Sequence, residues 1–165
     1  MESNKSILSE RDIIIAFYEA FANLDAETMV SFYHDNVLFK DPAFGVLKGS
    51  RAKNMWRMLC KSQQGKDFKV DASRFVGHDQ QGSAYWEAKY TFSKTGRKVH
   101  NKIDATFVFE DGKIIQHIDH FDLYAWAKQA MGLKGFLVGK TGFFKRKLQA
   151  QTTGLLDRFE RESST

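Results

Sequence analysis

The stretch His100–Phe121, HNKIDATFVFEDGKIIQHIDHF, decides the fold. It contains two runs rich in apolar and β-branched residues, separated by the tripeptide Glu110-Asp111-Gly112. Asp-Gly tolerates the positive φ angles that a tight turn requires, so the stretch predicts a β-hairpin.

The two strands of this hairpin carry ionisable groups among apolar ones. Because side chains alternate between the faces of a strand, Ile103, Ala105, Phe107 and Phe109 share one face of the first strand, and Lys102, Asp104 and Thr106 share the other. His117 and Asp119 share a face of the second strand, and His120 lies opposite. Ionisable groups in apolar strands are costly unless they are paired, hydrated or used, so they predict a functional site.

Further strands and helices are predicted on both sides of the hairpin. A period of two indicates four strands joined by short turns, at Phe68–Val76, Ala84–Phe92, Val99–Phe109 and Lys113–Phe121, which favours an antiparallel meander. Helices are predicted to begin near Ser9, Asp25, Ser50, Asp122 and Thr141, and a short strand at 37–40 is predicted to end before Pro42. Helices that can cover a curved sheet predict an α+β cone.

Length and composition predict one soluble domain. The chain has 165 residues, 42% of them hydrophobic, and a single cysteine, Cys60, which we expect in the core. A signal pattern and an apolar run of transmembrane length are both missing, so a cytoplasmic location is expected. We expect a flexible N-terminus at 1–8, the domain at 9–124 and a basic helical extension at 125–165.

The net charge of +5 belongs to the C-terminal part of the chain. Residues 128–165 hold eight Lys/Arg and three acidic residues, whereas the other 127 residues balance to zero. Nucleic acid is therefore not an expected partner of the main body. The sequence also lacks the spacings of zinc and nucleotide sites, so neither a metal nor another cofactor is expected.

The order of elements, with an Asp-Pro after the first strand, resembles the NTF2-like superfamily. This superfamily includes ketosteroid isomerases, limonene-epoxide hydrolases and SnoaL-like polyketide cyclases, and the resemblance spans about residues 9–124. It implies a cone-shaped α+β fold with a pocket for a small apolar molecule. The predicted C-terminal helices are additional to it.

The ketosteroid isomerase motifs fall on specific residues. The general base of that family is similar to Asp41 in Lys40-Asp41-Pro42, and its protonated oxyanion donor is similar to Asp104. Its catalytic tyrosine falls on Phe17. Loss of an oxyanion donor costs about 2.7–4 kcal/mol, so steroid isomerisation is disfavoured.

The epoxide hydrolase motifs overlap with these. The resemblance implies that Asp119 activates water, that Asp104 protonates the leaving oxygen, and that Lys102 ties the two carboxylates together. The tyrosine and asparagine that position water in that family fall on Phe39 and Asp41.

Together these residues predict a site in which Asp41, Asp104 and Asp119 converge with His117 and Lys102. We expect its apolar walls to include Phe17, Phe39, Met55 and Trp56. Carboxylates that are close together in an apolar pocket cannot all ionise, so at least one pKa is expected to be raised.

Structural roles are alternatives for several of these residues. Asp41 is also typical of a turn before proline, and His117 is also typical of a buried structural histidine. Asp104 alternatively pairs with Lys102 or His100 on a solvated strand face. Asp122 is expected only to cap a helix.

Two functions follow from this site. The first is a cofactor-independent enzyme, of isomerase, hydrolase or cyclase type, that performs acid/base chemistry on a small apolar molecule. The second is a non-catalytic binding or accessory protein. An enzyme needs at least two carboxylates on one cavity, and a solvent-facing Asp104 would mean that this enzyme hypothesis is dropped.

The C-terminal helix carries an apolar stripe made of Phe144, Leu148, Leu155 and Phe159. We expect it to pack on the apolar sheet face of its own chain or of a partner, and a homodimer through that face is predicted. Contact of this basic tail with a membrane surface is the less favoured alternative.

Overall fold

The computed structural model describes residues 7–165, so most of the N-terminal segment predicted to be flexible lies outside the described residues. The elements, in chain order, are α1 (Glu10–Ala22), α2 (Ala26–Ser31), β1 (Tyr33–Asp41), β2 (Gly45–Lys48), α3 (Ser50–Gln63), β3 (Lys69–His78), β4 (Gln81–Phe92), β5 (Arg97–Glu110), β6 (Lys113–His120), α4 (Leu123–Met131), α5 (Leu133–Val138) and α6 (Gly142–Ser163). The predicted α+β class is confirmed.

The strands form one six-stranded sheet in the order β2-β1-β6-β5-β4-β3. Strands β3 to β6 form the predicted antiparallel meander. Strand β1 pairs parallel with β6 and antiparallel with β2, a strand that the sequence pattern did not reveal. Because of these pairings, the end of β1 lies beside the middle of β6, where Phe39 is opposite His117.

The hairpin predicted at 100–121 is confirmed. Asp111 and Gly112 connect β5 to β6 with φ angles of 52° and 73°. Two consecutive positive φ angles match the right-handed twist of the flanking strands. The register that follows places Phe107 opposite His117 and Asp104 opposite His120.

The apolar face of β5 is the inner face of the sheet, which corrects the sequence-based assignment. Ile103, Ala105, Phe107 and Phe109 are all buried within the chain, and the ring of Phe107 lies 6.5 Å from that of Phe17 on α1. These residues are therefore unavailable to a partner. Whether the chain forms a homodimer stays a prediction.

Caps explain where several helices begin. Ser9 and Asp12 form a capping box at α1, and the side chains of Asp122 and Thr141 each accept a backbone N–H of the helix that follows. Helix α3 begins at Ser50 itself, after Gly49 and without a side-chain cap.

Helix α6 packs on its own chain, against α3 and the β1–β2 turn. Arg51 on α3 bonds to Asp157 at 2.9 Å and to Glu160 at 2.8 Å. Gln149 and Thr152 donate hydrogen bonds to the carbonyl groups of Pro42 and Ala43 in that turn. The extension is thus anchored next to Asp41.

Of the predicted apolar stripe on α6, Phe144 is buried beside Val99 and α4, whereas Leu155 is 51% exposed. Leu156, next to Leu155, is instead fully buried in the core cluster that includes Ile103 and Phe107, and Phe159 packs against the same cluster. Within residues 7–165, no helix is both long enough and apolar enough to cross a bilayer.

Candidate functional site

A cavity of about 1150 Å³ opens between the inner face of the sheet, α3 and the C-terminal helices. Phe39, Met55 and Trp56 line it, as the sequence predicted. Phe17 does not line it, because this ring is fully buried behind them. A cavity of this size with mostly apolar walls fits a small organic molecule.

Asp119 is the end of a chain of hydrogen bonds in the floor of this cavity. His117 Nε2 lies 3.0 Å from Asp119 Oδ1, and His117 Nδ1 lies 2.6 Å from the Tyr33 hydroxyl. Trp56 Nε1 donates to that hydroxyl at 2.8 Å. His117 is fully buried, and Asp119 is 3% exposed.

The donors in this chain fix the tautomer of His117. The Tyr33 oxygen accepts the Trp56 N–H, and a Tyr33 hydrogen directed to His117 Nδ1 gives every donor in the chain an acceptor, since the Asp119 carboxylate can only accept. Burial raises the pKa of Tyr33 well above its usual range, which keeps this hydrogen in place. His117 therefore carries its proton on Nε2 and donates it to Asp119, a carboxylate–histidine arrangement that orients both groups.

Asp119 keeps one oxygen for a ligand. Trp86 Nε1 also donates to Oδ1, at 3.3 Å, so this oxygen accepts two N–H groups and negative charge on it is stabilised. Among residues 7–165, Oδ2 has no hydrogen-bond partner. In the part of the chain that the structure describes, the Tyr18 hydroxyl is the one side-chain polar atom that is both fully buried and unpaired, so Oδ2 retains accessible surface. Asp119 lines the cavity, so Oδ2 is the oxygen available to contact a ligand.

Asp41 is the second carboxylate on the cavity. Its Oδ1 accepts the backbone N–H of Phe44 at 2.6 Å, so it also has the turn role that the sequence allowed. Burial raises the pKa of Asp41 to about 7, the Phe44 N–H lowers it in part, and the charge of Asp119 raises it further. At neutral pH this group is therefore available in both its acid and its base forms.

Aromatic rings enclose His117. Its imidazole lies 4.4 Å from the ring of Phe107, 5.2 Å from Phe39 and 5.5 Å from Phe17, and it stacks at 5.8 Å on Trp56. His117 does not reach the cavity. Its position supports a role in orienting Asp119 rather than in contacting a ligand.

Asp104 and Lys102 do not belong to the site, and their predicted convergence with Asp41 and Asp119 is wrong. Both are exposed on the outer face of β5, where Asp104 pairs in register with the exposed His120. The alternative of a solvated strand face is the correct one for Asp104, although His100 pairs with Glu87, at 2.7 Å, and not with Asp104.

Other candidate residues have structural roles. Asp122 caps α4 through the Ala125 N–H at 3.0 Å, and Cys60 is buried with its sulfur 3.8 Å from that of Met29. Both predictions are confirmed. One group of metal-ligand types, His34, Glu110 and Asp111, lies on the surface at the far end of β1 from Asp41.

Sequence reasoning missed three contributors to the site. Tyr33 begins β1 and supports His117. Trp86 lies on the inner face of β4 and reaches Asp119. Helix α6 supplies one wall of the cavity. The alternation of Ala84, Trp86 and Ala88 could have identified Trp86 as an inward-facing residue, but not as a partner of Asp119.

A comparison with protein families identifies the family of this chain. The sequence profile of the SnoaL-like domain matches residues 14–117, well over half of the 165 residues. The chain belongs to the SnoaL-like domain family. The match ends at His117, so Asp119, α4, α5 and α6 lie beyond it.

Solved structures similar to this SnoaL-like domain include proteins of several kinds, and the three described below are each under 25% identical to it. Bal32a, from a soil-derived mobile gene cassette, is 22% identical with a TM-score of 0.62, over 73% of this chain and 97% of that one. An LEH-like epoxide hydrolase of Mycobacterium tuberculosis is 23% identical with a TM-score of 0.57, over 76% and 92%.

A putative polyketide cyclase of Pseudomonas putida KT2440 is 15% identical with a TM-score of 0.59, over 74% of this chain and 98% of that one. These likenesses establish the NTF2-like fold. A comparison with curated protein sequences gives no match.

Proposed function

We propose that this SnoaL-like domain binds a small, largely apolar molecule in its cavity and transfers protons on it. Asp119 acts as the base, and Asp41 acts as the acid or hydrogen-bond donor. The observation that carries the proposal is that two carboxylates in different environments line one mostly apolar cavity.

The two environments suit opposite roles. Oδ1 of Asp119 accepts N–H groups from His117 and Trp86, which stabilises the carboxylate and leaves Oδ2 to take a proton. Asp41, with a pKa raised to about 7 by burial, holds a proton in a substantial fraction of molecules at neutral pH. An acid and a base that differ in protonation at one pH are what acid/base catalysis requires.

Two reactions use this pair in the same way. On an enolisable ketone, Asp119 takes the proton from the carbon next to the carbonyl, and the electron pair moves to the carbonyl oxygen, to which Asp41 donates. On an epoxide, Asp119 takes a proton from water as the water oxygen attacks a ring carbon. The C–O bond of that carbon breaks in the same step, and Asp41 gives its proton to the leaving oxygen.

The outward position of Asp104 rejects the mechanism in which Asp104 is the acid, and it supports a second candidate. That candidate is a binding protein that holds the same ligand without turnover. It needs the cavity but no convergence of carboxylates, so the contribution of Asp41 and Asp119 to turnover separates the two functions.

The experiment is a panel of enolisable ketones and epoxides. Proton NMR in deuterated water reports exchange of the acidic C–H of each ketone, and product analysis reports epoxide opening. Asp119→Asn is expected to lower the rate by about 10²–10⁴-fold, the usual contribution of general acid/base catalysis. Asp104→Asn, on the outer face of the same sheet, is the matched control and keeps the rate.

Binding is followed in the same samples by the fluorescence of Trp56 and Trp86, which line the cavity. Compounds that bind without exchange or ring opening would overturn the acid/base proposal in favour of the binding protein. Turnover that survives Asp119→Asn and Asp41→Asn unchanged would overturn it as well.

A further inference from the structure

The segment between Asp122 and Asp157 is unusual in its charge. It contains no acidic residue and six basic ones, Lys128, Lys134, Lys140, Lys145, Arg146 and Lys147. This segment includes α4, α5 and the first two thirds of α6. The net charge of the chain is therefore concentrated on one part of its surface.

Helix α5 buries its glycine and exposes its large apolar residues. A Cβ on Gly135 would lie 1.9 Å from the carbonyl oxygen of Ala127, so this side of α5 is in close contact with α4. Leu133, Phe136 and Leu137, on the other side, are 73%, 57% and 68% exposed. The close packing at Gly135 fixes this orientation of the helix.

The start of α6 extends this surface. Phe143 is 66% exposed, and Lys134, Lys140, Lys145 and Arg146 are exposed beside it in the chain. We call these eight residues the basic apolar patch: Leu133, Lys134, Phe136, Leu137, Lys140, Phe143, Lys145 and Arg146. Within residues 7–165 none of its four cations forms an ion pair.

The patch is continuous with the mouth of the cavity. Lys134 and Phe143 belong to the patch and also line the cavity, together with Lys147 and Leu148 on α6. A partner that binds the patch therefore also lies at the opening of the cavity.

We propose that the basic apolar patch docks on the surface of an anionic lipid bilayer, with the mouth of the cavity toward the lipid. Exposed Leu and Phe side chains surrounded by Lys and Arg match the acyl boundary and the acidic head groups of such a surface. The proposal concerns the patch and does not depend on whether the cavity is catalytic.

Charge argues against the other occupants. In a two-fold dimer through this patch, the same surface meets itself, so the four cations of one copy would face those of the other. A nucleic acid would neutralise the cations but would leave four large apolar side chains without suitable contacts.

The test is sedimentation of the full chain with vesicles of pure phosphatidylcholine and with vesicles that also contain phosphatidylserine. The chain is expected to bind the anionic vesicles on the order of tenfold more tightly than the neutral ones, and to release them at high salt. Leu133→Ser with Leu137→Ser is expected to weaken this binding on the order of tenfold, as is Lys145→Gln with Arg146→Gln. None of these four residues lines the cavity.

The controls replace similar residues elsewhere. Val46→Ser with Val76→Ser removes two exposed apolar side chains, and Lys48→Gln with Lys69→Gln removes two exposed cations. Both control proteins should sediment as the unmodified chain does. Equal weakening by patch and control variants, or no binding to anionic vesicles, would overturn the proposal. So would a dimer in solution that Leu133→Ser with Leu137→Ser dissociates, or binding to duplex DNA that these serines leave intact while vesicle binding is absent.

Discussion

His117 and Asp119 lie two residues apart on β6 and are joined by a 3.0 Å hydrogen bond from Nε2 to Oδ1. Residues i and i+2 of a strand share a face, so the backbone itself holds this pair together. Because His117 Nδ1 is satisfied by Tyr33, the proton on Nε2 points to Asp119. A buried polar network of this kind holds a single arrangement only while every member has a hydrogen-bond partner.

The first prediction compares two buried tyrosines. Tyr33→Phe leaves Trp56 Nε1 and His117 Nδ1 without a partner, so it should lower the free energy of unfolding by about 1–3 kcal/mol. Tyr18→Phe removes a hydroxyl that is buried without a partner, so it should be neutral or stabilising. Urea unfolding of both variants measures the difference. Equal destabilisation by the two substitutions would contradict the hydrogen-bonded chain.

The second prediction concerns pH and Asp41, whose pKa rises from an ordinary value of 3.8 to about 7. Between these values the folded state binds the Asp41 proton and the unfolded state releases it, so this group lowers the free energy of unfolding as pH rises. A pKa difference of one between the folded and unfolded states corresponds to about 1.4 kcal/mol in the free energy of unfolding. Below pH 3.8 and above about pH 7 the contribution is constant.

Asp41→Asn keeps a side-chain oxygen for the Phe44 N–H but removes the titration. The unfolding free energy of the unmodified chain minus that of Asp41→Asn should therefore fall from pH 4 to pH 7 and then level. Urea unfolding across this range gives the curve. A difference that stays flat or rises would show that Asp41 is not in an apolar environment.

The third prediction concerns the anchoring of α6. Arg51→Ala removes its bonds to Asp157 and Glu160, which are partly exposed, so the cost in unfolding free energy should be about 1 kcal/mol or less. Hydrogen exchange should nevertheless speed up along α6, because Arg51 connects it to α3. Lys53→Ala, which removes an ion pair between α3 and Asp35, is the control and should leave α6 unchanged. Unaltered exchange in α6 after Arg51→Ala would argue that other contacts hold the helix.

The fourth prediction compares two helical glycines. Gly135→Ala places a Cβ 1.9 Å from the Ala127 carbonyl oxygen, so α5 must move and the chain should lose more than about 1 kcal/mol of stability. Gly154→Ala meets nothing within 4 Å on α6, so it should gain up to about 1 kcal/mol through helix propensity. Thermal unfolding ranks the two proteins. A stable Gly135→Ala protein would contradict the close contact of α5 with α4, and with it the outward direction of Leu133 and Leu137.

The sequence predicted the elements well because their signals are local. The caps at Ser9 and Asp122 and the Asp111-Gly112 turn act within a few residues, and the structure contains all three. Periodicity also separated the two faces of β5 correctly. It did not reveal which face points inward, so Asp104 was placed on the cavity when it lies outside.

The residues that sequence reasoning missed depend on distant pairings. Trp86 reaches Asp119 across two strand pairings, and Tyr33 reaches His117 because β1 pairs parallel with β6. No local pattern encodes such contacts. The wall formed by α6 likewise depends on ion pairs more than one hundred residues apart in the chain.

The proposed joint action of Asp41 and Asp119 on one ligand is best tested by a crystal structure of the chain with the best-binding compound of the panel. We predict that the compound lies between the sheet and α6, with a polar atom within hydrogen-bonding distance of Asp119 Oδ2 and another near Asp41. The proposal would be overturned if the compound were bound in the cavity beyond the reach of both carboxylates, or on the outer face near Asp104.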